Sequence, residues 1–262
     1  MGVTPPRIAV VIPTLGQRPD LLRRSLESLR AAGPAHLILV APAALDASDM
    51  VAAGLLDEKL DETGRTPAGA INQGFAAAPA TAEYLAWLGD DDVLRPGALT
   101  RTGEFLDAHP KTSAVYGACE YIDEQDRVVW KNRSGRWAAW ILRFGPDLIP
   151  QPGSLFRRSS LEQVGELRSD LGWAFDFDLF IRLQKVGRLS YLPDVLAGFR
   201  WHPGSLSVGQ RRKSVEDASR VRVSHLPRIL RPISVIWEVP VRWVTFRAAG
   251  LVKDEDGDHG RA

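Results

Sequence analysis

Residues 84–99 read YLAWLGDDDVLRPGAL, and the fold turns on this stretch. Tyr84 to Leu88 is an unbroken apolar run that ends at Gly89 and three aspartates. A short strand without polar alternation is buried on both faces, which is the habit of a parallel sheet flanked by helices. Acidic residues just past the C-terminal end of such a strand stand where open α/β sheets place their ligands. Pro96 and Gly97 then open a helix expected to run to about Ala108. Upstream, Arg7 to Pro13 (RIAVVIP) is a second apolar, β-branched run ended by proline. It is followed by Leu21, Leu22, Leu26 and Leu29 at helical spacing, a Gly33-Pro34 stop, and the strand His36 to Ala41 (HLILVA). Strand, helix and strand make the right-handed α/β unit, and the helical stretch Gly69–Ala78 feeding Tyr84–Leu88 repeats it.

Downstream of the acidic triplet the pattern is less regular. Ser113–Tyr116 begins a strand, and Tyr121–Asp123 with Arg127–Trp130 flank a polar turn and predict a hairpin. Residues 132–152 hold several glycines and prolines with Trp137 and Trp140, and are expected as a loop bordering a site. Leu155-Phe156 resumes a strand, helices follow over Ser159–Val164 and Asp176–Val186, and Leu196–Trp201 closes as a strand. The expected organisation is a catalytic domain over residues 1–208, a helical segment over 209–252 and a frayed acidic tail over 253–262.

A formal net charge of +1 leaves no global basic field to draw the chain onto nucleic acid, so any anionic ligand must be held by local groups. Cys119 is the one cysteine, which removes intrachain disulfides and cysteine-based zinc clusters and suits a small core residue in a reducing compartment. No stretch reaches the roughly 20 apolar residues of a membrane span, and MGVTPPR lacks a signal peptide's apolar run. The expectation is a cytoplasmic protein. Between His225 and Leu251, tryptophans and isoleucines alternate with Arg228, Arg231, Arg242 and Arg247, broken by Pro232 and Pro240. That composition suits either an interfacial membrane contact or a helix pair packed on the protein's own core.

Three adjacent carboxylates repel one another and persist where a divalent cation or a ligand hydroxyl compensates them. In an extended segment Asp90 and Asp92 project to one side and Asp91 to the other. A solvated turn, with Asp92 capping the helix near Pro96, would explain the triplet without a ligand. Further on, WAFDFDLFIRL (residues 173–183) puts Asp176 at a helix start, where it is either a catalytic base or a cap.

Three segments occur in succession: VVIPTLGQRPDLLRRSLESL (10–29), TPAGAINQGFAAAPATAEYLAWLGDDDVLRPGAL (66–99) and DFDLFIRL (176–183). In order and approximate spacing they resemble glycosyltransferase family 2, over roughly residues 7 to 207. The resemblance implies an α/β fold of the GT-A type with an open, mostly parallel central sheet flanked by helices. It also implies inverting transfer from a nucleotide sugar, and Mn²⁺ or Mg²⁺ at the acidic motif. In the family's register Asp91 looks like a metal ligand and Asp90 like the residue near the ribose or metal, with Asp92 and the late His202 as further ligands. Asp176 looks like the base, Asp178 is expected either to brace the fold or to orient the acceptor, and Trp173 falls on the acceptor side. Pro13, Thr14, Leu15 and Gly16 leave the first strand in the loop that touches the nucleotide, Arg18 is placed toward phosphate or base, and Arg200 toward the phosphates.

The chain departs from the family's pattern at Gly89 and Phe175, where many relatives carry acidic residues, and after the second strand, where VAPAALD lacks the usual aspartate. Asp61 in LDETG is either its replacement or a surface residue, and Asn72 with Gly74 either bring their helix near the diphosphate or serve the packing alone.

A dinucleotide-dependent oxidoreductase is disfavoured, since PTLGQRPD holds one glycine where G-x-G-x-x-G is needed, and no P-loop is present. A nucleotidyltransferase, or a silent glycan-binding module of the same fold, remains as an alternative. The partners expected are a UDP-, GDP- or dTDP-linked sugar and a saccharide or lipid-linked acceptor, with cell-envelope polysaccharide as the product class and peripheral contact with the inner membrane face.

Overall fold

The computed structural model describes residues 6–132, 135–142, 144–201, 211–234, 236 and 238–241. The strands are β1 (Ile8–Pro13), β2 (His36–Ala41), β3 (Glu58–Asp61), β4 (Tyr84–Trp87), β5 (Val93–Leu94), β6 (Thr112–Ile122), β7 (Val128–Asn132), β8 (Leu155–Arg157) and β9 (Arg188–Arg200). The helices are α1 (Pro19–Ala32), α2 (Ser48–Ala52), α3 (Pro67–Ala77), α4 (Ala98–Ala108), α5 (Trp137–Ile141), α6 (Arg158–Val164), α7 (Phe175–Leu183) and α8 (Arg211–His225).

The strands form one sheet in the order β3-β2-β1-β4-β8-β6-β9-β5, with β7 hairpinned onto β6. From β3 to β4 every pair is parallel, as the apolar runs predict for β1, β2 and β4, whereas β3, reading EKLD, has no such run and adds an edge strand the pattern did not signal. Antiparallel β8 then joins β4 to β6, β6 and β9 run parallel, and β5 lies antiparallel on β9, so the second half of the sheet is mixed. The closing strand is far longer than Leu196–Trp201, because its first half pairs with β6 from Arg188 onward. Within the expected loop 132–152, residues Trp137–Ile141 form a short helix.

Alternation along β1 shows why its run is apolar throughout. Val10 and Ile12 pack with Leu22, Leu26 and Leu29 of α1 and Leu99 and Leu106 of α4 on one face. Ala9 and Val11 pack with Ile71 of α3 and with Trp87, Phe156, Phe177 and Phe180 on the other. Both faces need apolar side chains, so no polar position is tolerated. Gly74 is required by the second layer: a Cβ there would fall 2.5 and 2.6 Å from the two γ-methyls of Val11. Asn72, expected near the diphosphate, is used otherwise. Its amide donates to the Leu167 carbonyl at 2.8 Å and its Oδ1 accepts the Leu167 N–H at 2.9 Å, tying α3 to the segment before α7.

Cys119 lies buried on β6, and burial, aided by the nearby Asp92 charge, pushes its thiol up to about 12. A thiol so hard to ionise suits packing. Among the described residues no helix is long and apolar enough to cross a membrane.

Candidate active site

In the order 3-2-1-4 the sheet reverses direction at β1, and the crevice at the C-terminal ends of β1 and β4 is the switch point. Two loops meet there. The first leaves β1 as Pro13-Thr14-Leu15-Gly16; Thr14 N–H donates to the Val40 carbonyl at 3.0 Å, and Gly16, at φ +73°, donates its N–H to Thr14 Oγ1 at 2.9 Å. The second is the acidic triplet, which runs from the end of β4 to β5 on the far strand of the sheet. Thr14 Oγ1 donates to Asp90 Oδ2 at 2.5 Å, joining the two loops. Leu15 stands 65% exposed at the rim, an unusual exposure for leucine and one that leaves its face open to a ligand.

Arg18 reaches over this junction, donating to Asp91 Oδ2 at 2.6 Å and to Asp90 Oδ1 at 3.1 Å. Asp92 is turned inward. Its Oδ1 accepts the Arg200 N–H at 2.9 Å, and the helix that follows starts instead at Gly97 with no side-chain cap, so Asp92 does not serve as one. Burial lifts Asp90 above the ordinary carboxylate range despite the Thr14 hydrogen bond, and burial with the neighbouring Asp91 charge lifts Asp92 well above it. Such carboxylates favour a proton or a cation.

Asp91 Oδ1 and Asp92 Oδ2 each lie 3.1 Å from the point where a side chain on Gly89 would begin, so two hard oxygens converge beside this glycine. Carboxylate oxygens are the hard donors that Mg²⁺ and Mn²⁺ prefer. Among the described residues no group of three or more His, Cys, Asp or Glu side chains is arranged to hold a metal. His202 lies outside the described residues.

Arg200 differs from its expected role. Its side chain is fully buried; Nε donates to the Asp91 carbonyl at 2.8 Å, Nη1 to the Asp123 carbonyl and Nη2 to Asp126 Oδ1. The guanidinium therefore braces the back of the triplet and does not face a phosphate. Asp61 sits exposed at the end of β3, paired with Lys59 Nζ at 2.5 Å.

On the other side, the carboxylate of Asp176 is half-buried in the first turn of α7, whose cap position is Ala174. Its Oδ1 accepts the Phe177 N–H at 2.8 Å, yet burial outweighs that bond and raises the carboxyl to about 6. A carboxylate that titrates close to neutrality is suited to taking a proton from a hydroxyl. Asp178, expected either to brace the fold or to orient the acceptor, is fully buried and bonded to Arg182 Nε and His225 Nε2, each at 2.7 Å. It braces α7 against α8. Trp173 precedes α7 and is half-buried. Trp137 and Trp140, 68% and 75% exposed, meet edge to face at 6.1 Å on α5, a degree of exposure that leaves two aromatic faces open to a partner.

Sequence reasoning passed over Asp147, Arg222 and Glu238. Asp147 lies in the segment after α5, and burial together with the charge of Asp176 raises its carboxyl well above the ordinary range. Its one sequence signal was membership of the glycine- and proline-rich stretch expected to border the site.

Residues 9–165 match the family model described as glycosyl transferase family 2. The chain is 26% identical over 190 residues to the O-antigen biosynthesis protein RfbC of Myxococcus xanthus, a match covering 70% of this chain and 14% of that protein. It spans about a quarter or less of the length of the curated relatives it matches. Among solved structures it resembles S. aureus TarS 1-349 in complex with UDP, with TM-score 0.59, 15% identity, and coverage of 86% of this chain and 68% of that one. It also resembles the mannosyltransferase PcManGT from Pyrobaculum calidifontis in complex with GDP-Man and Mn²⁺, with TM-score 0.58, 18% identity, and coverage of 95% and 76%.

Proposed function

Because the chain belongs to glycosyl transferase family 2, we propose that it moves a sugar, with inversion, from a nucleoside-diphosphate donor to a hydroxyl of a saccharide or lipid-linked acceptor, with Asp176 as the base. The observation that carries this reading is the half-buried Asp176 carboxyl, raised to about 6 at the start of α7. The acceptor hydroxyl gives its proton to Asp176 as its oxygen attacks the anomeric carbon, and the nucleoside diphosphate leaves. The Pro13–Gly16 loop and Thr14 hold the nucleotide side, and Arg18 moves from Asp90 and Asp91 to the donor phosphates. Trp173 offers an aromatic face to the acceptor sugar.

Asp91 and Asp92 are the residues that would hold Mn²⁺ or Mg²⁺, with His202 as a further ligand; a bound cation there neutralises the charge that develops on the departing diphosphate. The GDP-Man and Mn²⁺ complex of PcManGT and the UDP complex of TarS support a UDP-, GDP- or dTDP-linked donor used with a cation. Residues 1–208 make up the transferase domain in this reading and 209–252 a C-terminal helical segment, of which α8 is tied to α7 through His225 and Asp178.

Cell-envelope polysaccharide at the cytoplasmic membrane face is the acceptor class we favour. Trp137, Trp140 and Phe144 on one side, and Ile229, Ile233 and Ile236 on the other, are exposed apolar side chains suited to an interface. Liposome sedimentation that is unchanged when residues 226–262 are deleted would remove the membrane contact.

The donor is tested by a thermal-shift screen of UDP-, GDP- and dTDP-sugars with and without Mn²⁺. A matched donor at about 100 times its Kd adds about 2.7 kcal/mol of stability, and here it does so only with the cation. A flat response across the whole panel, in Mn²⁺ and in Mg²⁺, would overturn the reading.

A further inference from the structure

After α8 the chain has two faces. Leu226, Ser234 and Glu238 turn inward and are buried. Ile229, Ile233, Ile236 and Val239 follow one another at three- and four-residue spacing, turn outward, and are 84, 47, 70 and 60% exposed. Apolar side chains repeating in this way make a continuous patch, and such patches mark contact surfaces.

The patch is held in place from behind. Arg231 Nε and Nη2 donate to the Leu226 and Ser224 carbonyls at 3.2 and 2.8 Å. Glu238 clamps the buried Arg222 of α8, at 2.7 Å from Nε and 2.8 Å from Nη2, and accepts Ser219 Oγ at 2.6 Å. Arg222 in turn donates to the Gly145 carbonyl at 3.4 Å and lies 5.9 Å from the ring centre of Phe177 in α7. A face fixed in this way loses little conformational freedom when a partner meets it.

Charge identifies the partner. Between His225 and Lys253 the sequence holds one acidic residue, Glu238, against Arg228, Arg231, Arg242 and Arg247, in a chain whose formal net charge is only +1. Glu238 is buried on Arg222, so no carboxylate of residues 227–241 faces outward, while Arg228 and Arg231 stand exposed among the isoleucines. Apolar side chains flanked by guanidinium groups and free of carboxylates fit a bilayer with anionic headgroups. A second copy of the chain would bring its own arginines against these, a like-charge contact.

We propose that the outward face of residues 227–241 docks on an anionic bilayer, with Ile229, Ile233 and Ile236 entering among the acyl chains and Arg228 and Arg231 on the lipid phosphates. This rests on the membrane-face reading above and deepens it, by naming the surface that makes the contact and the lipid chemistry it selects. The clamp through Arg222 then holds the start of α7 at a set distance from the membrane.

The test is sedimentation of the full chain with vesicles of phosphatidylcholine alone and of phosphatidylcholine mixed with phosphatidylglycerol, at low and high salt. Wild type is expected to partition onto the mixed vesicles and to be released by salt. Arg228→Gln should weaken that partition about fivefold. Replacing Ile229, Ile233 and Ile236 together with serine should weaken it at least about tenfold, with a melting temperature equal to that of wild type because these side chains are exposed. Equal binding to both vesicle types, or a triple variant that binds as wild type does, overturns the proposal. A triple variant that melts lower overturns it as well, by showing that the protein's own residues cover the patch. So does a wild-type dimer that the same substitutions dissociate, which would assign the patch to a second copy. The donor screen needs no vesicles, so failure of the docking face and failure of the transferase reading give different results.

Discussion

The Arg200 N–H donates to Asp92 Oδ1 at 2.9 Å, a bond between residues 108 apart in sequence, while the Arg200 side chain is sealed from solvent behind the acidic motif. The triplet is thus held from inside by a strand that arrives at the end of the domain. Replacing Arg200 with methionine leaves the Asp91 and Asp123 carbonyls without their donor, at a cost of about 3 kcal/mol. Thermal unfolding should fall by roughly 6 to 12 °C. A variant that melts with the wild type but has lost nucleotide affinity would instead place Arg200 on the phosphates.

If Asp91 holds a divalent cation as proposed, Arg18 competes with it, since the guanidinium lies 2.6 Å from Asp91 Oδ2. Arg18→Met should tighten Mn²⁺ uptake in the absence of nucleotide by roughly fivefold, the effect of about 1 kcal/mol for a partly exposed pair. The same variant should weaken nucleotide-diphosphate binding. Calorimetric titration reads both, and weaker Mn²⁺ uptake would show that Arg18 organises the motif instead of competing for it.

Turnover should rise with pH through about 6 as Asp176 ionises, and Asp176→Asn should lower it at least about 10²-fold with donor affinity retained. The stability effect has the opposite sense. A carboxyl raised in the folded state contributes stability that is present below its unfolded value near 4 and is lost as pH rises through about 6. Asn cannot ionise, so D176N should melt higher than wild type at pH 7.5 and level with it at pH 4.

Asp178 behaves in reverse. Burial alone would raise it, but hydrogen bonds and charge from His225 and Arg182 hold it below the ordinary range. Its contribution is present above its unfolded value and is lost as pH falls through the folded one. Asp178→Asn should cost about 3 kcal/mol at neutral pH, measured as a lowered urea midpoint, because it leaves the half-buried Arg182 guanidinium without its carboxylate.

Gly74→Ala puts a methyl within 2.6 Å of both Val11 γ-carbons. Overpacking of this kind costs about 1–3 kcal/mol, and the denaturant midpoint should fall accordingly with the same m-value. An unchanged midpoint would mean that α3 can slide on the sheet.

What the chain determined by itself was local. IAVVIP, LILVA and YLAWL are without charge at every position because strands covered on both faces admit nothing else, and the leucines of α1 fall on one stripe because one face of that helix is buried. These periodicities gave the parallel half of the sheet, and with it the crevice, Thr14 and the three aspartates. The helix start at Asp176 was legible as well, since the apolar spacing of DFDLFIRL begins there.

Tertiary structure decided how each charge is used. Arg200 and Asn72 looked available to a donor, but one is enclosed by carbonyls from two other loops and the other by the backbone of Leu167. Asp178, two residues from Asp176 on the same helix, is consumed by α8. Spacing along the chain reports periodic burial, whereas a carboxylate's role depends on the desolvation and the charges around it, and those come from residues dozens to a hundred positions away.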